Sequence, residues 1–157
     1  MKKQLLAIAT TAALTPAFAS ATNNNGEVIW NGDVDPACGW DVADHQPGKL
    51  GFVDFNEQQP AKATLVNNKN GNDQADLAMS TTTSVAGGNG AIAIPTTDIM
   101  IKLVDGENET YPEQESNTVF NNVPAGDLKF YARAVDPATS YSAGTHTVTT
   151  TFTVTCN

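Results

Sequence analysis

The chain has 157 residues, with 8 Lys and Arg against 17 Asp and Glu, a formal charge of −9. That length suits one domain with a real core. The acidity disfavours partners that are polyanions, whether nucleic acid or anionic membrane, and favours solubility.

The chain opens on Met1-Lys2-Lys3, followed by an apolar stretch from Leu5 to Leu14 broken only by small Thr residues. Small residues then offer cleavage sites after Ala19 or Ala21. Basic, apolar and small residues in that order predict a secretory signal over residues 1–21, too short to span a bilayer. Export makes a disulfide the default for the only two cysteines, Cys38 and Cys156, with two free thiols as the alternative.

After the lead Thr22–Asn25, the stretch Gly26 to Val34 alternates Val28, Trp30, Gly32 and Val34 on one side with Glu27, Asn31 and Asp33 on the other. It is a β-capable segment with Ile29 as its one exception. Beyond Cys38 nothing has the pattern of a long amphipathic helix. Gly, Asn, Asp and Pro punctuate short Val/Ile/Thr/Phe-rich runs, the rhythm of an all-β sandwich.

Six body strands are predicted. Leu50 to Phe55, Ala63 to Val66 and Asp76 to Thr82 are the weaker patterns. Asp98 to Val104 carries Ile99, Ile101 and Leu103 on one face. Leu128 to Val135 separates Leu128, Phe130, Ala132 and Ala134 from Lys129, Tyr131 and Arg133. From Thr147 to Cys156, Val148, Thr150, Phe152, Val154 and Cys156 share one face and Thr residues fill the other. Strict period two with β-branched partners leaves no room for a helix there. Asn67 to Asp73 and Val85 to Gly90 are loops, and Pro124-Ala125-Gly126 marks a turn.

Signals for chemistry are weak. His45 and His146 have no Cys or His at ligand spacing and read as solvated or turn residues. Asp33-x-Asp35 and the Asn68–Asp73 cluster do not follow the order of an EF-hand loop and read as turn chemistry. Asn108-Glu109-Thr110 is a formal glycosylation sequon. No nucleophile elbow, zinc-protease motif or phosphate loop is present, so the chain is expected not to be an enzyme and to hold no cofactor or metal. Trp40 and Tyr141 could face a sugar, although half-buried aromatics are common in sandwiches.

The run from Asn25 to Cys38 resembles the N-terminus of type 1-like chaperone–usher pilin subunits. Ile99 to Asp105, Val123 to Ala134 and Gly144 to Val154 resemble the second half of that family; the middle, Gln58 to Pro95, is a looser match. The resemblance implies an incomplete immunoglobulin-like β-sandwich of six body strands, residues 36–157, preceded by an N-terminal donor strand within 22–35. It implies that Val28, Trp30, Gly32 and Val34 fill a groove in a neighbouring subunit, the strand addition known as donor-strand complementation. Burying Val28 and Val34 would contribute roughly 1.5–3 kcal/mol each. Val148, Phe152, Val154 and Asn157 would form the groove and chaperone-contact strand.

The implied partners are other pilin subunits, a periplasmic chaperone and an outer-membrane usher, with no nucleic acid. The implied role is a structural subunit, major or minor, of a cell-surface fimbrium that supports adhesion. The family's usual cysteine partner, near Asn67–Asn70, is missing, and opposed first and last strands would bring Cys38 and Cys156 to one pole. The competing reading is a self-contained secreted β-sandwich that binds carbohydrate. A tip adhesin fits less well, because such proteins carry a separate lectin domain and lack a donor extension.

Overall fold

The computed structural model describes residues 37–69, 73–87 and 90–157. The expected signal segment 1–21 and the expected donor extension 22–35, with Val28, Trp30, Gly32 and Val34, lie outside the described residues. The described chain is all-β. It forms nine strands: β1 (Cys38–Gln46), β2 (Gly51–Phe52), β3 (Ala61–Asn67), β4 (Gln74–Ala86), β5 (Ile99–Val104), β6 (Gln114–Glu115), β7 (Val119–Pro124), β8 (Gly126–Ala134) and β9 (Thr145–Cys156). Two three-residue 3₁₀ turns, Thr96–Asp98 and Ala138–Ser140, are its helical elements.

One sheet has the order β1-β3-β8-β5-β6, with the two-residue β2 pairing parallel to β8. The other has the order β7-β4-β9. All pairings except that of β2 are antiparallel. The facing surfaces of the two sheets make one core. Leu65, Ile99, Leu103 and Leu128 come from the first, and Ala75, Leu77, Phe120 and Val123 from the second. Period-two alternation does the sorting: β5 reads buried at Ile99, Ile101 and Leu103 and half-exposed between them.

All six expected strands are present with altered bounds, and the count of six is corrected to nine by β1, β6 and β7. The stretch Leu50–Phe55 shrinks to Gly51–Phe52, because Val53 turns to a φ of 64° and breaks the extended run. β4 runs past its expected end to Ala86, and its register opposite β9 continues through Ala86↔Thr145. The face assigned to Leu128, Phe130 and Ala134 is the buried one. Tyr131, on the opposite face, is also covered, with Lys102 Nζ 4.6 Å from its ring centroid.

Candidate functional site: a groove between two sheet edges

The first and last strands of the described chain are the edges that matter. β1 is an end strand of the larger sheet and β9 an end strand of the smaller. At one pole they are tied together by the Cys38–Cys156 disulfide, whose Cα atoms are 6.1 Å apart. Cys38 stands opposite Asn67 in the β1–β3 register, so Asn67 occupies the place near which the resemblance would have put a second cysteine. Its side chain bonds the Gln74 carbonyl at 2.8 Å and accepts from the Lys69 amide at 3.0 Å.

Two residues further along β1, Trp40 packs edge-on to Phe130 and Phe152, with ring centroids 6.2 and 6.1 Å away. Its Nε1 donates to the Phe152 carbonyl at 3.3 Å. Beyond that bridge a groove of about 770 Å³ separates the two edges. Its walls are Trp40 and His45 from β1, the connection 46–50, Ala61 to Ala63 of β3, Ile101 of β5, Phe130 to Ala132 of β8, and His146 to Val148 and Thr150 to Phe152 of β9.

β9 shows what the groove costs in burial. Its inward residues, His146, Val148, Thr150, Phe152, Val154 and Cys156, are all half-buried and none is fully buried. Of their partners across the ladder, Ala75, Leu77, Met79 and Thr81 are buried, while Thr83 and Val85, opposite Val148 and His146, are half-buried. Both rows face the opposing sheet, but only β4 has a strand on each side. Thr150, the one hydroxyl in the apolar row, is satisfied by Thr81 at 3.0 Å.

The free edge of β9 also offers main-chain groups. In an antiparallel ladder alternate residues turn their N–H and C=O toward or away from the neighbour. The Asn157 amide bonds the Gln74 carbonyl, whereas the Phe152 carbonyl is met by Trp40 from the other side. Even-numbered residues therefore turn their backbone groups away from β4. His146, Val148 and Thr150 present those groups on the same edge whose side chains line the groove. Among the described residues no strand pairs with that edge.

Of the residues singled out in the sequence, Val148 and Phe152 line the groove. Val154 packs on the core beside them, nearer the disulfide pole. Asn157 sits past that pole, its Nδ2 3.4 Å from Asp76 Oδ1. His45 and His146, set aside as turn or solvated residues, both line the groove, and His146 Nε2 lies 2.7 Å from the Ser142 carbonyl oxygen. Among the described residues no group of three or more His, Cys, Asp or Glu is placed to hold a metal. Trp40, weighed as a sugar-facing ring, is packed between Phe130 and Phe152. Tyr141 packs on Phe52, ring centroids 6.1 Å apart, and on His146. Burial pushes the Tyr141 hydroxyl above its ordinary pKa, against the Asp136 amide that donates to it at 3.3 Å.

No protein-family model, curated protein or solved structure matches the chain.

Proposed function

We propose that this chain is the structural subunit of a chaperone–usher-type fimbrium, an incomplete immunoglobulin-like sandwich completed by a strand from a neighbouring subunit. The single observation that carries the reading is the groove between β1 and β9, where half-buried Val148 and Phe152 lie on an edge with which no strand pairs among the described residues. An unpaired edge beside apolar side chains is an aggregation hazard unless another strand covers it. An added strand supplies both missing partners at once, backbone bonds to the edge and side chains to the groove.

Length supports the match. His146 to Phe152 spans six residue steps, about 20 Å at the rise of a strand, as does Val28 to Val34. Val28, Trp30 and Val34 share one face of that segment in extended form. In this reading a periplasmic chaperone holds the groove until an outer-membrane usher replaces it with the next subunit's segment.

The test is deletion of Thr22 to Val34. The body should still bind its chaperone but fail to extend a polymer, while the intact chain assembles. An intact chain that stays a lone stable monomer, and a truncated chain that unfolds, would place the segment within its own domain and end the proposal.

A further inference from the structure

The outer face of the larger sheet carries a cluster of its own. Register sets Lys102 of β5 opposite Tyr131 of β8, and Met100 opposite Arg133, with all four turned away from the core. Tyr131 is nonetheless only 9 % exposed, which an outward residue of a solvated sheet reaches only under a cover. Part of that cover is the loop between β2 and β3. It lays Phe55 against both cations, with Lys102 Nζ 4.9 Å and Arg133 Cζ 5.2 Å from its ring centroid. Glu57 of the same loop pairs with Lys102, and Glu113 pairs with Arg133 at 2.9 Å. The side chains of Lys102 and Arg133 are 15 and 20 % exposed, so both cations meet the ring largely desolvated, where such contacts are strongest.

Both ends of the loop are constrained. At its start the Val53 amide bonds the Ala134 carbonyl at 2.9 Å, and the Asp54 amide reaches back to the Phe52 carbonyl at 2.7 Å. That makes a γ-turn centred on Val53, whose φ of 64° a β-branched residue keeps only where its surroundings hold it. At its end the Gln59 amide closes a turn on the Asn56 carbonyl at 3.3 Å, and the Gln59 carbonyl accepts the Lys49 amide at 2.9 Å. Lys49 belongs to the connection 46–50, which is a wall of the groove. A short path of main-chain bonds thus runs from the Phe55 ring on the outer face to a wall on the inner side.

We propose that Phe55, clasped by Lys102 and Arg133, is a positioning residue that holds the connection 46–50 in place as a wall of the groove. The inference rests on the strand-donation reading and adds what keeps the groove ready for an incoming strand. A wall that is already in place costs no ordering when the strand docks, and preorganisation of this kind raises affinity without adding a contact. With the ring removed, the turn 56–59 loses its anchor, and the Lys49–Gln59 bond has no fixed carbonyl to meet. The wall is then in place in only part of the molecules, and docking weakens by that fraction.

The experiment uses the full mature chain, separated from chaperone, and takes two readouts. Deuterium uptake at residues 48–50 is followed by mass spectrometry before association begins, and association is followed by light scattering. Phe55→Ala should speed uptake there about tenfold and slow association about tenfold, as a wall open in nine molecules of ten would. Phe55→Tyr keeps the ring and should match wild type in both. Lys102→Met removes the cation and the partner of Glu57 but keeps the stem, and should move both readouts the same way by less. Asp105→Ala loosens the turn after β5 and should leave both unchanged while lowering stability. Near-ultraviolet circular dichroism identifies the folded variants, and Lys102→Met carries the test if Phe55→Ala does not fold. Unchanged uptake at 48–50 in the folded variants overturns Phe55 as the anchor of the wall. Faster uptake with wild-type association overturns its part in docking and leaves strand donation standing. Equal changes in Asp105→Ala reduce the effect to lost stability and overturn the proposal. A wild-type chain that never associates overturns strand donation, and the docking role of Phe55 with it.

Discussion

The indole of Trp40 on β1 and the backbone of Phe152 on β9 are joined by a 3.3 Å hydrogen bond that crosses from one sheet to the other. It is where the two edges stop converging: on one side they run to the disulfide, on the other they part to form the groove. Phe130 completes the contact, its ring centroid 4.5 Å from that of Phe152. Trp40→Phe keeps most of the packing and loses the donor, so it should cost about 0.5–1.5 kcal/mol. Trp40→Ala also opens a void and should cost about 3 kcal/mol. Urea unfolding of the two variants against wild type separates bond from packing, and a Trp40→Phe variant as stable as wild type would mean the bond contributes nothing.

The Cys38–Cys156 bond closes a loop with a sequence separation of 118 and fixes the pole from which both edges depart. Chain-entropy reasoning for loops of this size gives about 4–5 kcal/mol, and native disulfides of small exported domains typically contribute about 2–5 kcal/mol. Cys38→Ser/Cys156→Ser should lower stability within that range, measured by chemical unfolding without reductant. Trp40 should become more accessible to acrylamide, because the end of the groove is then held by one hydrogen bond and ring packing.

Much of this architecture was legible in the residues. β5, β8 and β9 alternate cleanly, and in each the apolar row is the one turned to the opposing sheet. β1 was not legible. It begins Cys38-Gly39-Trp40-Asp41, with Gly39 at a φ of 147°, and its register against β3 shifts between Asp41 and Gln46. β7 was hidden by Asn121, Asn122 and Pro124, residues typical of turns. Asn122 takes a φ of 55° at a register shift, with its amide bonded to Asp76 at 2.9 Å. The apolar face of β9 could be read, but its open edge could not, because pairing is decided by strands distant in sequence. For the same reason His45 and His146 looked unrelated: topology, not spacing, brings both to one groove.

Asp105 is a buried carboxylate whose function is local. It is 2 % exposed, and its Oδ1 accepts the amides of Glu107 and Glu109 at 3.0 and 2.9 Å. That organises the turn after β5, where Asn108 has a φ of 65°. Asp105→Ala leaves two donors unpaired and should cost about 1–3 kcal/mol. Asp105→Asn keeps an acceptor oxygen and should cost less. The two are distinguished by thermal unfolding.

Tyr111, beside the same turn, makes stability sensitive to alkali. Burial, with Asp105 and Glu109 adding negative charge, raises its hydroxyl above the ordinary value of 10.0. The fold thus favours the neutral phenol. The stabilisation is complete below the unfolded pKa and is lost as pH rises through the higher folded one. Unfolding free energy should fall above about pH 10, the ordinary range of tyrosine. Tyr111→Phe should remove part of that slope while leaving stability at pH 7 little changed. An unaltered slope would show that other groups cause it.

Gly48 lies in the connection that lines the groove. A Cβ placed there would sit 2.8 Å from the Pro60 carbonyl carbon and closer still to the Ala61 amide. Those are main-chain atoms of the approach to β3 and cannot yield as a flexible side chain would. Gly48→Ala must therefore lift the connection 46–50 away from β3. Overpacking of this kind typically costs about 1–3 kcal/mol. The variant should lose stability in that range, measured by urea unfolding; unchanged stability would show that the connection has room to spare.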